Sequence, residues 1–172
     1  TTPAIKVKSV KARGAQVVLF GDSFDEALIK SQELVKKYGY TFLHPFDDLD
    51  VIAGQGTVAV ELLRQVNKPI EAIFVPVGGG GLAAGMAAYI KYVRPEIKVI
   101  GVEPEDAACL AAAKRSGKRT VLSQVGLFAD GVAVKQIGEN NFNVLKDACD
   151  HVITVTTDEI CAAVKDVFDL SL

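Results

Sequence analysis

The run Ala72-Ile-Phe-Val-Pro-Val-Gly-Gly-Gly-Gly-Leu-Ala-Ala-Gly85 carries more structural information than any other part of this chain. An apolar, strand-like segment, Ala72 to Val77, leads into four glycines, Gly78 to Gly81. An alanine-rich, helix-like segment from Leu82 to Val93 follows them. Without a Cβ, glycine lets the backbone turn sharply and lets several N–H groups converge on one small anion. The helix start adds its unpaired amides and the positive end of its dipole. Strand, glycine loop and helix start together form a phosphate cradle, so this segment points to a phosphorylated ligand.

The same segment carries no charge for 19 residues, Ala72 to Ile90, a length sufficient for a membrane span. Pro76 and the four glycines exclude a spanning helix, because each interior glycine costs about 1 kcal/mol and a proline about 3. On either side, apolar β-rich runs alternate with helix-period segments. Val17 to Phe20 reads as a strand. Ser23 and Glu26 form a capping box before a helix with Phe24, Ala27, Leu28, Leu34, Val35 and Tyr38 on one face. Thr41 to Leu43 reads as a short strand, His44 to Asp48 as a turn, and about Gly56 to Val66 as a helix. Beyond the glycines, Ile97 to Val102 reads as a strand and Ala107 to Lys114 as a helix, while Ser116 to Asn143 resists assignment. His151 to Val155 reads as a strand. Thr156 and Glu159 repeat the capping box, before a stripe of Ile160, Ala163, Val164, Val167 and Phe168. The alternation predicts an α/β fold: a three-layer arrangement with a mainly parallel sheet and helices on both faces. Ligands of such sheets bind at the carboxyl ends of the strands, where the glycine loop lies.

Composition removes several classes of function. Nineteen basic and 21 acidic residues among 172 give a net charge of −2 without a long run of either sign, so the footprint of a nucleic-acid binder is missing. The start, Thr1 to Lys6, has no apolar core segment of a signal peptide. Cys109, Cys149 and Cys161 lack the paired spacing of a zinc or redox site and read as buried or half-buried free thiols in a reducing compartment. His44 and His151 are not spaced to share a metal and read as turn or strand-edge residues.

Two phosphorylated ligands fit the loop. Gly78 to Ala83 satisfies the G-x-G-x-x-G/A dinucleotide pattern, with Glu103 about 20 residues on as a candidate partner for ribose hydroxyls. Against a nicotinamide-binding domain, two α/β units precede the loop, and four glycines exceed what that turn requires. Glu103 then reads as a strand-end carboxylate before Pro104.

The second ligand is pyridoxal 5′-phosphate (PLP). Val75-Pro-Val-Gly-Gly-Gly-Gly-Leu-Ala-Ala-Gly85 resembles the phosphate loop of the threonine dehydratase family, among the tryptophan-synthase-β-like (fold type II) PLP enzymes. Val51-Ile-Ala-Gly-Gln-Gly-Thr57, Gly101-Val-Glu-Pro104, Phe128-Ala-Asp-Gly-Val-Ala-Val134, Asp158-Glu-Ile-Cys-Ala-Ala163 and Thr2-Pro-Ala-Ile-Lys6 resemble that family in order and spacing. The match runs from Thr1 to about Phe168, nearer to biosynthetic threonine deaminases than to serine racemases. The resemblance implies an ammonia-lyase that converts L-threonine, and serine as a second substrate, into a 2-oxo acid and ammonia within isoleucine biosynthesis. It implies backbone contacts to the PLP phosphate from Gly78, Gly79, Gly80, Gly81 and Leu82, with Asp130 and Gly131 in the cofactor's surroundings. It further implies a homo-oligomeric full-length enzyme of the cytoplasm, or of the plastid in a plant, without nucleic-acid or membrane partners.

The family's PLP lysine is expected outside this chain. Ser9-Val-Lys-Ala-Arg-Gly-Ala15 imitates its motif, but Lys11 stands only 67 residues before Gly78, roughly half the family separation, and reads as a solvated helix lysine. The family's asparagine for the cofactor's 3′-oxygen and its partner for the pyridine nitrogen are likewise missing. Cys109 stands where metal-binding relatives carry a carboxylate six residues after the position of Glu103, so no metal ligand is assigned. The start lacks methionine and the end follows directly on a helix-like run. The expectation is therefore a central fragment of a catalytic domain that does not catalyse elimination by itself. A serine racemase or serine dehydratase relative, a nicotinamide domain and a non-catalytic interaction fragment are the alternatives.

Overall fold

The computed structural model describes residues 2–22 and 24–170. The chain divides into two units, Thr1–Leu43 and His44–Leu172. The first holds two helices, α1 (Ala4–Ala12) and α2 (Phe24–Tyr38). None of its described residues is fully buried. The expected strands Val17 to Phe20 and Thr41 to Leu43 are irregular chain instead. A strand is held by a ladder to a neighbour, and no described residue of this unit forms one. Val18, Leu19 and Phe20 are exposed accordingly. The capping box expected at Ser23 lies outside the described residues.

The second unit runs α3 (Leu49–Gln65), β1 (Ala72–Pro76), α4 (Gly81–Val93), β2 (Lys98–Pro104), α5 (Cys109–Ser116), α6 (Glu139–Ala148), β3 (His151–Val155) and α7 (Thr157–Leu170). Its three strands pair in parallel in the order β1-β2-β3, with Val75 beside Gly101 and Val102 beside Ile153. Parallel neighbours joined through helices give the expected α/β class. Because side chains alternate along a strand, Ile73, Val75, Val99, Gly101 and Glu103 share one face. All five are buried, and the apolar ones form one core with Met86 and Ile90 of α4, Leu110 of α5 and Leu145 of α6. The opposite face carries Phe74, which is exposed. There Val102 and Val155 join Ile160, Ala163, Val164 and Val167 of α7 around an apolar groove of about 470 Å³. Within this unit, helices thus close one face of the sheet, while the other stays partly open beside α7.

The helix expected from Gly56 starts seven residues earlier, at Leu49. Asp48 explains the start: in an extended conformation, its Oδ1 accepts the N–H groups of Asp50 and Val51 at 2.9 and 3.1 Å. Gly56 is inside that helix for packing. A Cβ there would lie 3.0 Å from the Gly85 carbonyl oxygen, and one on Gly85 would run into the backbone of Ile52 and Gly56. The two glycines let α3 and α4 cross with their backbones nearly in contact. The capping box at Thr156 forms as read. Thr156 N–H donates to Glu159 Oε2 at 2.7 Å and Glu159 N–H to Thr156 Oγ1 at 3.2 Å. Asp150 Oδ2 fastens the start of β3, accepting from Lys91 Nζ (2.8 Å) and from the Val99 N–H (2.7 Å). Burial works to raise its pKa, but these donors outweigh it and hold the carboxyl below its usual range. No helix among the described residues is long and apolar enough to cross a membrane. The 19 uncharged residues resolve into β1, the glycine loop and α4.

Candidate functional site

An α-helix begins with four amides that lack an intrahelical partner. In the second unit, four of the five helices meet that need with side-chain oxygens. Asp48 serves α3 and Thr156 with Glu159 serves α7, as described. Glu103 reaches across from β2 to α5, with Oε1 accepting from Leu110 N–H (2.7 Å) and Oε2 from Ala111 N–H (2.8 Å). Asp47 serves α6, with Oδ2 accepting from Glu139 N–H (2.8 Å) and Oδ1 from Asn141 N–H (3.3 Å). Helix α4 is different. Its N-cap is Gly80, which has no side chain, and the first amide bonded back to the loop is Ala84 N–H, to Gly80 O at 2.8 Å. The amides of residues 78–83 donate no hydrogen bond to any described residue, although Gly78 to Gly81 are all buried.

Neighbours that leave no room for side chains press the glycines into place. A Cβ on Gly79 would enter the Phe46 ring, and one on Gly81 would lie 2.8 Å from the Phe46 carbonyl oxygen. One on Gly78 would meet Val132 Cα at 2.8 Å. Gly80 adds a conformational demand, since its φ of +94° is left-handed and favours glycine. Phe46 belongs to the turn His44 to Asp48, which His44 organises: its Nδ1 accepts from Phe46 N–H (3.3 Å) and Asp47 N–H (2.9 Å). The imidazole also stands edge-on to the Phe46 ring at 4.7 Å. His44 is therefore a turn residue, as read from the sequence.

Beneath the loop, the Cys109 thiol donates to the Gly78 carbonyl at 3.3 Å. Burial, then the neighbouring Glu103 charge, pushes this thiol up to about 12, so it remains a protonated donor at neutral pH. Burial likewise raises the Glu103 carboxyl, against the opposing pull of the Leu110 and Ala111 amides. With no exposed surface and both oxygens engaged, Glu103 is unavailable to a ribose hydroxyl. The strand-end reading of Glu103 holds, and the dinucleotide reading loses its acidic partner.

The other residues singled out by sequence fall as follows. Lys11 is exposed on α1 in the first unit. Asp130 and Gly131 are exposed and belong to a short 3₁₀ turn, Asp130–Val132, that meets the glycine loop through Val132. His151 is exposed at the start of β3. Cys109 and Cys149 are buried as expected, but Cys161 is exposed, because α7 turns it away from the sheet's groove. No cluster of three or more His, Cys, Asp or Glu side chains suited to a metal occurs among the described residues. Sequence reasoning missed Phe46, Ile137 and Asn141, all of which close on the glycines. The Asn141 Nδ2 donates to the carbonyls of Phe46 (2.7 Å) and Gly79 (2.8 Å) across 95 and 62 residues of chain, a separation no local pattern reveals.

A sequence model of the family described as pyridoxal-phosphate dependent enzyme matches residues 1–170. The biosynthetic L-threonine dehydratase of Burkholderia multivorans is 56% identical over 171 residues, which is 98% of this chain and 34% of that protein. The chloroplastic biosynthetic threonine dehydratase of Arabidopsis thaliana is 55% identical over 98% of this chain and 28% of its own length. The chain thus spans about a third of the curated relatives it matches. Among solved structures, the processed form of threonine deaminase isoform 2 from Solanum lycopersicum superimposes with a TM-score of 0.92 at 48% identity, covering 98% of this chain and 49% of that one.

Proposed function

This chain belongs to the family of pyridoxal-phosphate dependent enzymes, and on that basis we propose that it is the phosphate-holding part of a threonine ammonia-lyase. In this reading the amides of Gly78, Gly79, Gly80, Gly81 and Leu82 hold the PLP phosphate. One observation carries it: among the described residues, α4 is the one helix of its unit whose N-terminal amides meet no side-chain oxygen, and those amides sit in a buried loop shaped by four glycines. A dianionic phosphate supplies the acceptors that carboxylates supply to the other four helices, and the dipole of α4 favours it there. The residues present thus fit the phosphate of the cofactor.

When bound, PLP supplies an electron sink for negative charge at the substrate Cα. The chain's own residues bind and orient. Gly78 to Leu82 fix the phosphate end, Phe46 keeps the glycine loop covered on one side, and Glu103 is spent on α5. No described residue is assigned proton transfer, and Lys11 is not the cofactor's lysine. That lysine, the 3′-oxygen partner and the pyridine partner belong to residues outside these 172. The reading extends to L-threonine as substrate, with L-serine second, and to a homo-oligomeric full-length enzyme of the cytoplasm or plastid. The high identity to proteins named biosynthetic threonine dehydratase supports the substrate.

The test is made on the purified full-length protein, as PLP content by spectroscopy and release of 2-oxobutanoate and ammonia from L-threonine. Stoichiometric PLP with turnover of threonine is expected. Tight NAD binding without PLP uptake would overturn the proposal, and PLP uptake with turnover of serine alone would overturn its choice of substrate.

A further inference from the structure

In a trans peptide the C=O and the following N–H point in opposite directions, so whatever fixes a carbonyl also aims the next amide. Three successive carbonyls of the glycine loop are fixed from the protein side. Gly78 O accepts from the Cys109 thiol at 3.3 Å. Gly79 O accepts from Gly138 N–H at 3.1 Å and from Asn141 Nδ2 at 2.8 Å. Gly80 O accepts from Ala84 N–H at 2.8 Å as the first bond of α4. The paired amides, those of Gly79, Gly80 and Gly81, are among the unpartnered ones. We propose that Cys109 and Asn141 are positioning residues of the phosphate seat: each holds one carbonyl away from the ligand and so presents the next residue's N–H to the phosphate. This rests on the reading of the loop as a phosphate cradle.

Both side chains are suited to the task. Glu103 lies beside the thiol, with its two oxygens accepting the Leu110 and Ala111 amides, and the hydrogen bond the thiol donates runs to Gly78 O. Asn141 is fully buried, donates through Nδ2 to Phe46 O and Gly79 O, and its Oδ1 has no partner. The side chain is thus committed to donation. By bonding Phe46 O as well, it joins the turn that covers Gly79 to the loop itself.

The test compares affinities for PLP and for pyridoxal, which lacks the phosphate, in the full-length protein. The ratio reports the phosphate seat alone. Cys109→Ala and Asn141→Ala are each expected to lower the ratio about 5- to 10-fold, the worth of one hydrogen bond, with pyridoxal affinity unchanged. Cys109→Ser keeps a donor and is expected to stay within about threefold of wild type. Should Asn141→Ala fail to fold, the contrast of Cys109→Ala with Cys109→Ser decides. If wild type does not prefer PLP over pyridoxal, the cradle reading itself fails. If wild type prefers PLP and the alanine variants keep the full ratio, the positioning role is refuted while the cradle stands.

Discussion

Replacing Gly80 by alanine tests whether the loop's shape is set by backbone strain alone or also by its covering. Gly80 sits at φ +94°, and an L-residue held in the left-handed region costs about 1–2 kcal/mol. The new Cβ would also lie 2.9 Å from Ile137 Cδ1 and 3.1 Å from Asn141 Cβ. Both neighbours are fully buried, and pushing into a packed core costs a further 1–3 kcal/mol or so. The expected loss is therefore about 2–5 kcal/mol. Gly117 supplies the control. It holds φ +69° at the end of α5, with nothing within 4 Å of its would-be Cβ, so Gly117→Ala carries only the strain, about 1–2 kcal/mol. Urea unfolding of both variants beside wild type gives the packing cost as their difference. Gly80→Ala should also weaken PLP binding, since its Cβ displaces the Asn141 that holds Gly79 O, whereas Gly117→Ala should not. Equal stability losses in the two variants, or full PLP affinity in Gly80→Ala, would show that the covering does not shape the loop.

Two further outcomes follow from the groups beneath the loop. Glu103→Gln offers one acceptor where the carboxylate has two, leaving an α5 amide facing an NH₂ group, and should cost about 1–3 kcal/mol in urea unfolding. Because burial raises the folded pKa of Glu103, its titration favours the folded state below the ordinary carboxyl value, and that contribution is lost as pH rises through the folded pKa. The stability of wild type relative to Glu103→Gln should therefore shrink from acid toward neutral pH; a gap that widens with pH would contradict the burial argument. Thiol alkylation at neutral pH, followed by peptide mass spectrometry, should modify the exposed Cys161 first. Cys109, held protonated up to about 12, and buried Cys149 should react only in denaturant; early loss of the Cys109 thiol would mean that the loop's floor is open.

Much of this was legible in sequence where the signal is local. β1, the glycine loop and α4 announce themselves by an abrupt change from β-rich to glycine to alanine-rich composition, and α7 by a capping box that satisfies its own end. Helix α3 extends past its expected start at Gly56 through Gly54, a residue of low helix propensity, and only the crossing at Gly85 shows why Gly56 is inside it. Helix α6 was not read at all. Its sequence, Glu139 to Ala148, is polar, and its N-terminus is satisfied by Asp47 from 92 residues away. Val17 to Phe20 has strand composition but no ladder partner among the described residues, and composition cannot supply one. In the site the same division holds. The glycines were visible, but the groups that press on them and hold their carbonyls, Phe46, Ile137, Asn141 and Cys109, arrive through long-range packing.

The proposed role of Gly78 to Gly81 turns on where the cofactor's phosphate binds. Glycine-selective ¹⁵N labelling of the full-length protein, with amide spectra recorded as PLP and then inorganic phosphate are added, addresses it at the atoms concerned. The resonances of Gly78, Gly79, Gly80 and Gly81 should move with both ligands, while Gly117, at the far end of α5, should stay in place. If PLP loads and those four amides do not move, the open start of α4 is not the phosphate seat.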